Sequence, residues 1–348
     1  MVVHNHNIVE ILIITFLVSF LLTFIVKKIA ISIGAMDKPD ARKVHSVPTP
    51  RLGGLAIFFA FLVGYMFYGT LSIQMISLLI GGFIIIITGI IDDIAGVPAK
   101  YKFLCQAAAA CVVVYYGGLY FLDISFMGIM IKFPLWIGQI VTVIFITAII
   151  NAINLIDGLN GLCSGNSIIY FTTITVLGFL LGKTAGLDII IAVIMIGSTL
   201  GFWVHNFPKG KIFLGDTGSM FLGFTIAVVA LLGYKVTTIT SIIIPIVVLF
   251  IPIMDTLLAI IRRVLKHQSI GTPDKEHLHH QLLRTTHSTK ITVLFMYAIN
   301  ILFALVSIFY ALGDKKVSIV IYGVLLLFFL ILIFKTNILF DRRKVIKK

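Results

Sequence analysis

Residues Gly53–Ile91 read GGLAIFFAFLVGYMFYGTLSIQMISLLIGGFIIIITGII, 39 consecutive positions without one charged side chain. A membrane-crossing helix takes about 20 apolar residues, so this run predicts two helices with a break near Gly69. Further uncharged stretches lie on both sides: Ile11–Val26, Phe103–Leu122, Phe133–Ile156, Gly158–Gly182, Ile189–Pro208, Thr217–Tyr234, Val236–Met254, Ile291–Gly313 and Val317–Phe334. With the double segment counted twice, eleven spans are expected, and they leave only short loops in 348 residues. The expectation is an all-α polytopic helix bundle forming a single transmembrane domain over residues 1–348, because only internally hydrogen-bonded helices satisfy the backbone in lipid. Composition agrees: 59% of residues are hydrophobic, 12% are charged and mean hydropathy is +1.12. Soluble domains carry roughly 25% charged residues, so a soluble globular chain and a disordered one are both excluded. The first apolar run lacks a basic segment before it, with Lys27 and Lys28 following it instead, so it reads as a retained span rather than a cleaved leader.

The net charge of +13 reports orientation. With the N-terminus outside, the inner segments around 27–51, 92–102, 205–216, 262–290 and 335–348 hold 22 of the 27 Lys and Arg, leaving Lys132, Lys183, Lys235, Lys315 and Lys316 outside. The positive-inside rule therefore puts the N-terminus out and the C-terminus in the cytoplasm. Basic charge explained this way does not call for nucleic acid. Cys105, Cys111 and Cys163 lie in apolar runs without CxxC spacing, which indicates neither a disulfide framework nor a zinc site.

Ten of the 14 acidic residues also fall on the inner side, and four polar clusters stand there. Asp92-Asp93 closes the third span, where paired carboxylates repel one another and meet the negative end of a helix dipole. A solvated loop start would be the plain explanation; the functional one is a site that supplies a compensating cation or a proton. Asn151, Asn154 and Asp157 recur every three residues on one helix, followed by Gly158, Asn160 and Gly161. Polar groups on a membrane helix mark either a helix–helix contact or a ligand site. His205-Asn206-Phe207-Pro208-Lys209-Gly210-Lys211 leads into Phe213-Leu214-Gly215-Asp216-Thr217-Gly218-Ser219. There Asp216 begins a helix, as an N-terminal cap or as part of a phosphate and metal pocket. The fourth cluster runs from Pro252 and Asp255 through Arg262-Arg263 to Asp274-Lys275-Glu276-His277-Leu278-His279-His280. Arginines beside a membrane often only anchor topology, but HxHH lacks the spacing of a zinc protease. Imidazolium and guanidinium suit a diphosphate.

Acids, amides, arginines and histidines thus gather on one side of the membrane. Mg²⁺ takes one or two protein oxygens and completes its shell with substrate phosphates, so the pattern favours a phosphate-bearing substrate from the cytosol and a lipid acceptor. No Walker A or dinucleotide-binding glycine pattern is present.

Seven ordered blocks resemble the polyprenyl-phosphate N-acetylhexosamine-1-phosphate transferases. They are Arg42-Lys43-Val44-His45, Pro50-Arg51-Leu52-Gly53-Gly54, Asp92-Asp93, Asn151–Leu162, Phe213–Ser219, Pro252–Thr256 with Arg262-Arg263, and Asp274–His280. Within that family the chain is most similar to the undecaprenyl-phosphate GlcNAc-1-phosphate transferase branch. The phospho-MurNAc-pentapeptide transferase branch is the alternative, from which Pro50-Arg51-Leu52, Gly96 and the interrupted histidines depart. The resemblance implies transfer of GlcNAc-1-phosphate from UDP-GlcNAc to undecaprenyl phosphate with Mg²⁺, releasing UMP. That reaction is the first membrane step of a teichoic-acid or O-antigen type glycopolymer. It further implies Asp92, Asp93 and Asp216 as catalytic, with Asp92 on the lipid phosphate, and Asn154 and Asp216 as the Mg²⁺ ligands. Asp157, Gly158, Asn206 and Phe213 would form the nucleoside pocket, and Asn151 and Asn160 would add substrate contacts. Arg262, His277, His279 and His280 would neutralise the diphosphate. Where DGLDGL is usual, this chain has Asn160, which keeps size and loses charge. The resemblance implies a plasma-membrane enzyme with a cytoplasmic site and leaves homodimer formation and a two-step route open. A transporter or lipid flippase is the rival class, but transporters carry their charges near the midplane within repeats.

Overall fold

The computed structural model describes residues 2–3, 6–39, 47–126, 129–235, 243–265 and 277–335. Thirteen helices run through them: α1 (Ile8–Ser32), α2 (Gly54–Tyr68), α3 (Ile73–Ala95), α4 (Ala99–Cys111), α5 (Leu135–Leu155), α6 (Leu162–Leu180), α7 (Leu187–Asn206), α8 (Gly215–Lys235), α9 (Ile243–Val248), α10 (Phe250–Leu265), α11 (Leu278–Thr286), α12 (Thr289–Leu312) and α13 (Lys315–Lys335). The chain is an all-α polytopic helix bundle, and among the described residues seven helices are long and apolar enough to cross a membrane: α1, α3, α5, α6, α7, α8 and α12.

Several boundaries differ from the expected ones. α2 has 15 residues, because Gly69, Thr70 and Ser72 end one helix and cap the next; Ser72 accepts from the Met75 N–H at 3.2 Å. α4 begins four residues ahead of the expected span and widens into a π-turn over Val112–Tyr116. α10 continues past Met254 to Leu265 and carries Arg262 and Arg263 in its last turn, so these arginines belong to a helix and not to a loop. The expected span over Val236–Met254 begins outside the described residues, as do Arg42-Lys43-Val44-His45 and Asp274-Lys275-Glu276.

The bundle's centre is made by α7 and α8, whose residues are almost all buried. With lipid outside, helices pack through small and hydroxyl-bearing residues that let backbones approach. On α1, Thr15, Ser19 and Thr23 are buried toward α7, where a Cβ on Gly197 would stand 2.0 Å from the Thr15 hydroxyl. Thr15 and Thr23 donate back to the carbonyls of Ile11 and Ser19 at 2.7 Å each, which satisfies their hydroxyls without water. α2 crosses the start of α8 equally closely, since a Cβ on Gly54 would lie 2.1 Å from the Gly218 Cα.

One end of the bundle gathers the functional segments. A short antiparallel pair sets Met36 opposite Pro50 and Asp37 opposite Thr49. Beyond it the chain lies along the segment before α8, with Phe213 N–H donating to Pro50 O at 2.8 Å and Gly53 and Gly54 N–H donating to Phe213 and Leu214 carbonyls at 3.0 Å each. The ends of α3 and α5 and the starts of α2, α4, α6 and α8 meet there.

Candidate active site

A cleft of about 580 Å³ opens at this end, lined among others by Asp37, Arg51, Asn154, Asp157, Gly158, Asn160, Asn206, Lys209, Phe213, Asp216 and His280. Of the predicted residues, Asn154, Asp157, Gly158, Asn160, Asn206, Phe213, Asp216 and His280 therefore share one wall. Asp92, Asp93, Asn151, Arg262, His277 and His279 do not line it.

The two adjacent aspartates have different tasks. Asp93 is buried and accepts from the Asp216 N–H at 3.0 Å, the Thr217 N–H at 3.1 Å and the Thr217 hydroxyl at 2.7 Å. It caps the N-terminus of α8 from another helix, where free amides and the positive dipole end hold a carboxylate. Where the resemblance implies Asp93 as a catalytic residue in electrostatic support of Asp92, the structure sets it beneath Asp216, on the first amides of α8. Gly215, at φ +75°, admits this arrangement, since a Cβ there would lie 2.3 Å from an Asp93 carboxylate oxygen. Asp92 is bound differently. One of its oxygens accepts from the Val97 N–H at 2.7 Å and the other lies 2.7 Å from the Lys102 ammonium. Lys102 also reaches Asp216 at 2.6 Å, so Asp92 joins the cleft through Lys102.

The cations that make this acidic pair tolerable come from the chain itself. Arg51 lies 3.4 Å from Asp93 and 3.6 Å from Asp37. Burial alone would lower its pKa, but Asp93, Asp37, Asp216 and Asp92 together hold it above the ordinary arginine value. Oxygens of Asp92, Asp93 and Asp216 lie within 4.8 Å of one another. Asn154 donates to the Ser219 hydroxyl at 2.8 Å, one turn into α8 from Asp216, and lines the same cleft. Carboxylate and carboxamide oxygens are hard donors of the kind Mg²⁺ takes, and the Lys102 bridge shows that Asp92 and Asp216 accept a shared cation. The residues fit the metal that the sequence suggested.

The loop between α5 and α6 brings Asp157 to the cleft. Burial, with Asp216 and Asp93 adding to it and Arg51 opposing, pushes its carboxyl up to about 8, so at neutral pH it carries a proton and can donate a hydrogen bond. Gly158 packs against the histidine segment, where a Cβ would stand 2.1 Å from His279 Nε2. Asp255 organises that segment. It accepts from the Leu278 N–H at 2.8 Å and lies 3.2 Å and 3.5 Å from Nδ1 of His277 and His279. His277 and His279 are buried against Asp255 and do not line the cleft. His280 does reach the cleft, but burial and then its neighbours His279 and His277 lower its pKa to about 4. In the substrate-free protein it is a neutral donor and acceptor, not the expected imidazolium. Arg262 is buried at 2% exposure and away from the cleft wall, which places it in the scaffold of α10.

Three predicted substrate contacts are structural in the first instance. Asn151 donates to the Gln106 side chain at 2.7 Å and to the Thr147 carbonyl at 2.8 Å, tying α5 to α4 away from the cleft. Asn206 uses both ends of its amide, accepting from the Gly161 N–H at 2.5 Å and donating to the Ile212 carbonyl at 2.8 Å. Asn160 donates to the Pro208 carbonyl at 3.3 Å, a bond an aspartate could not make, so the departure from the usual acid at this position has a structural use. The residues the sequence reading passed over are Lys102 and Arg51 as a cation, while Thr217 and Asp255 stood in its polar clusters without a role. A lysine or arginine at a membrane edge looks like a topology anchor, and only the charge imbalance at Asp92-Asp93 hinted at them.

The fold and site define an integral-membrane helix bundle with a polar, acid-flanked cleft at one end, built from helix termini. Residues 75–234 match the model of glycosyl transferase family 4. The chain is 42% identical, over 98% of its length and 96% of the relative's, to a probable undecaprenyl-phosphate N-acetylglucosaminyl 1-phosphate transferase of Bacillus subtilis (strain 168). It is 33% identical, over 81% and 77%, to a decaprenyl-phosphate N-acetylglucosaminephosphotransferase of Mycobacterium tuberculosis (strain ATCC 25618 / H37Rv). It is 28% identical, over 77% and 74%, to an undecaprenyl-phosphate alpha-N-acetylglucosaminyl 1-phosphate transferase of Escherichia coli (strain K12). The chain belongs to glycosyl transferase family 4, whose members these relatives are, and is a sugar-phosphate transferase of the membrane.

Proposed function

We propose that this enzyme transfers N-acetylglucosamine 1-phosphate from UDP-GlcNAc to undecaprenyl phosphate at the cytoplasmic face of the cell membrane, releasing UMP. The product would start a cell-wall glycopolymer of teichoic-acid or O-antigen type. The observation that carries the reading is the single cleft in which Asn154, Asp157, Phe213 and Asp216 meet, with Asp92 bridged to it through Lys102. The relatives' names supply acceptor and sugar, and the placement of basic residues supplies the side.

Phosphoryl transfer asks mainly for positioning and charge neutralisation. Asn154 and Asp216 would hold Mg²⁺, which when bound would neutralise the donor's diphosphate. A phosphate oxygen of the lipid attacks the sugar-bearing phosphorus, its bond to the bridging oxygen breaks, and UMP departs with that electron pair. The lipid phosphate, with a second pKa near 6, is largely dianionic already, so Asp92 serves chiefly to orient it. Phe213 offers a ring to the uracil, and protonated Asp157 donates a hydrogen bond to the nucleoside. Neutral His280 meets the phosphates as a hydrogen-bond donor. Purified protein in detergent, given undecaprenyl phosphate and each UDP-sugar in turn, should release UMP with UDP-GlcNAc and Mg²⁺. Release with another sugar only, or none with any, overturns the reading.

A further inference from the structure

The Lys102 ammonium lies 2.7 Å from an Asp92 oxygen and 2.6 Å from an Asp216 oxygen, so it occupies the carboxylate assigned above to the metal together with the one assigned to the lipid phosphate. We propose that Lys102 is an exchangeable counter-cation: it neutralises the two carboxylates until a divalent ion enters, then turns its ammonium toward the substrate phosphates. The inference rests on the metal reading of Asp216 given above and adds a second state to it.

Three observations support exchange rather than coexistence. A Mg²⁺ bound at the usual distance of about 2.1 Å from its oxygens would lie almost against the ammonium, and like charges that close repel. Lys102 and Arg51 already offset part of the negative charge of Asp92, Asp93, Asp216 and Asp37, so the cluster attracts a dication less with lysine in place than without it. Lys102 can also leave. It sits in the first turn of α4 with its side chain 23% exposed, on a long flexible stem, and its partner Asp216 lines the cleft. Arg51 pairs instead with Asp93 and Asp37, outside the Asp92–Asp216 bridge. Exchange would free Asp92 for the lipid phosphate at the same moment. An enzyme so arranged keeps its acids neutralised when empty and presents a cation to phosphate once metal is bound.

Manganese alone is the probe, titrated into detergent-solubilised protein while its free ion is followed by electron paramagnetic resonance. Lys102→Met should bind Mn²⁺ at least tenfold more tightly than the native chain, about 1.4 kcal/mol, and Asp216→Asn should lose most of the binding. Unchanged or weaker binding in Lys102→Met, with Asp216→Asn still defective, overturns the exchange and leaves the metal reading standing. Full binding in Asp216→Asn overturns the metal reading itself. Should Lys102→Met not fold, the native protein decides by amine acylation and mass spectrometry. Saturating Mn²⁺ should raise Lys102 labelling several-fold while exposed Lys100 stays constant; no rise overturns the exchange.

Discussion

Replacing Asp93 with alanine separates two neighbours that look equivalent in the sequence. The substitution removes the acceptor of the Asp216 and Thr217 N–H groups and of the Thr217 hydroxyl and takes away an ion-pair partner of Arg51. Hydrogen bonds to a charged group contribute roughly 1.5–3 kcal/mol each, and removing one member of a buried charge pair costs about 3–5 kcal/mol. Arg51 keeps Asp37 and some solvent, and the three bonds share one carboxylate, so about 3–5 kcal/mol is the expected loss for the whole group. At about 2 °C per kcal/mol for a large domain, the melting temperature in detergent should fall by roughly 6–10 °C, and UMP release should be lost because Asp216 no longer has a fixed base. Asp92→Asn, by contrast, should abolish turnover with a melting change of under about 2 °C, since the amide keeps an oxygen for the Val97 N–H and Lys102 keeps Asp216. Differential scanning fluorimetry and UMP release on the same preparations test both. A stable, active Asp93→Ala protein, or an Asp92→Asn protein as unstable as Asp93→Ala, would refute the division of labour.

Gly158→Ala should lower activity at least tenfold, with a stability cost of about 1–3 kcal/mol from overpacking, because the new methyl meets His279; kinetics and melting curves check it. Asn151→Ala should lose about 1–3 kcal/mol by stranding the Gln106 carbonyl while leaving KM for the sugar nucleotide unchanged in steady-state assays. Asp157, held up to about 8, binds a proton in the fold that the unfolded chain releases near pH 4. Its contribution to stability is therefore full at low pH and is lost as pH rises to about 8. The melting temperature of the substrate-free protein should decline over that window, and Asp157→Asn should flatten the profile.

The fold was legible because hydrophobic runs interrupted by Gly, Pro and charge set helix positions without reference to the rest of the chain. Boundaries that depend on packing were less so. The π-turn at Val112–Tyr116 and the extension of α10 to Leu265 leave no local mark. At the site, the gathering of Asn154, Asp157, Phe213 and Asp216 in one place could be read from type and spacing. The tasks of Asp92 and Asp93 could not, because neighbours on a helix point about 100° apart and the partner of Asp93 lies 123 residues away. The Asn151-Asn154-Asp157 pattern misled for a related reason. Three residues turn a helix by about 300°, so each step drifts by about 60°, which takes Asn151 to α4 and Asn154 to the cleft.

Crystals of the protein soaked in Mn²⁺, with diffraction collected at the manganese absorption edge, test the central claim most directly. The expected result is a strong anomalous peak in the cleft within bonding distance of Asp216 and Asn154, with Lys102 moved off both carboxylates. A peak elsewhere, or none in the cleft at saturating Mn²⁺, would contradict the account.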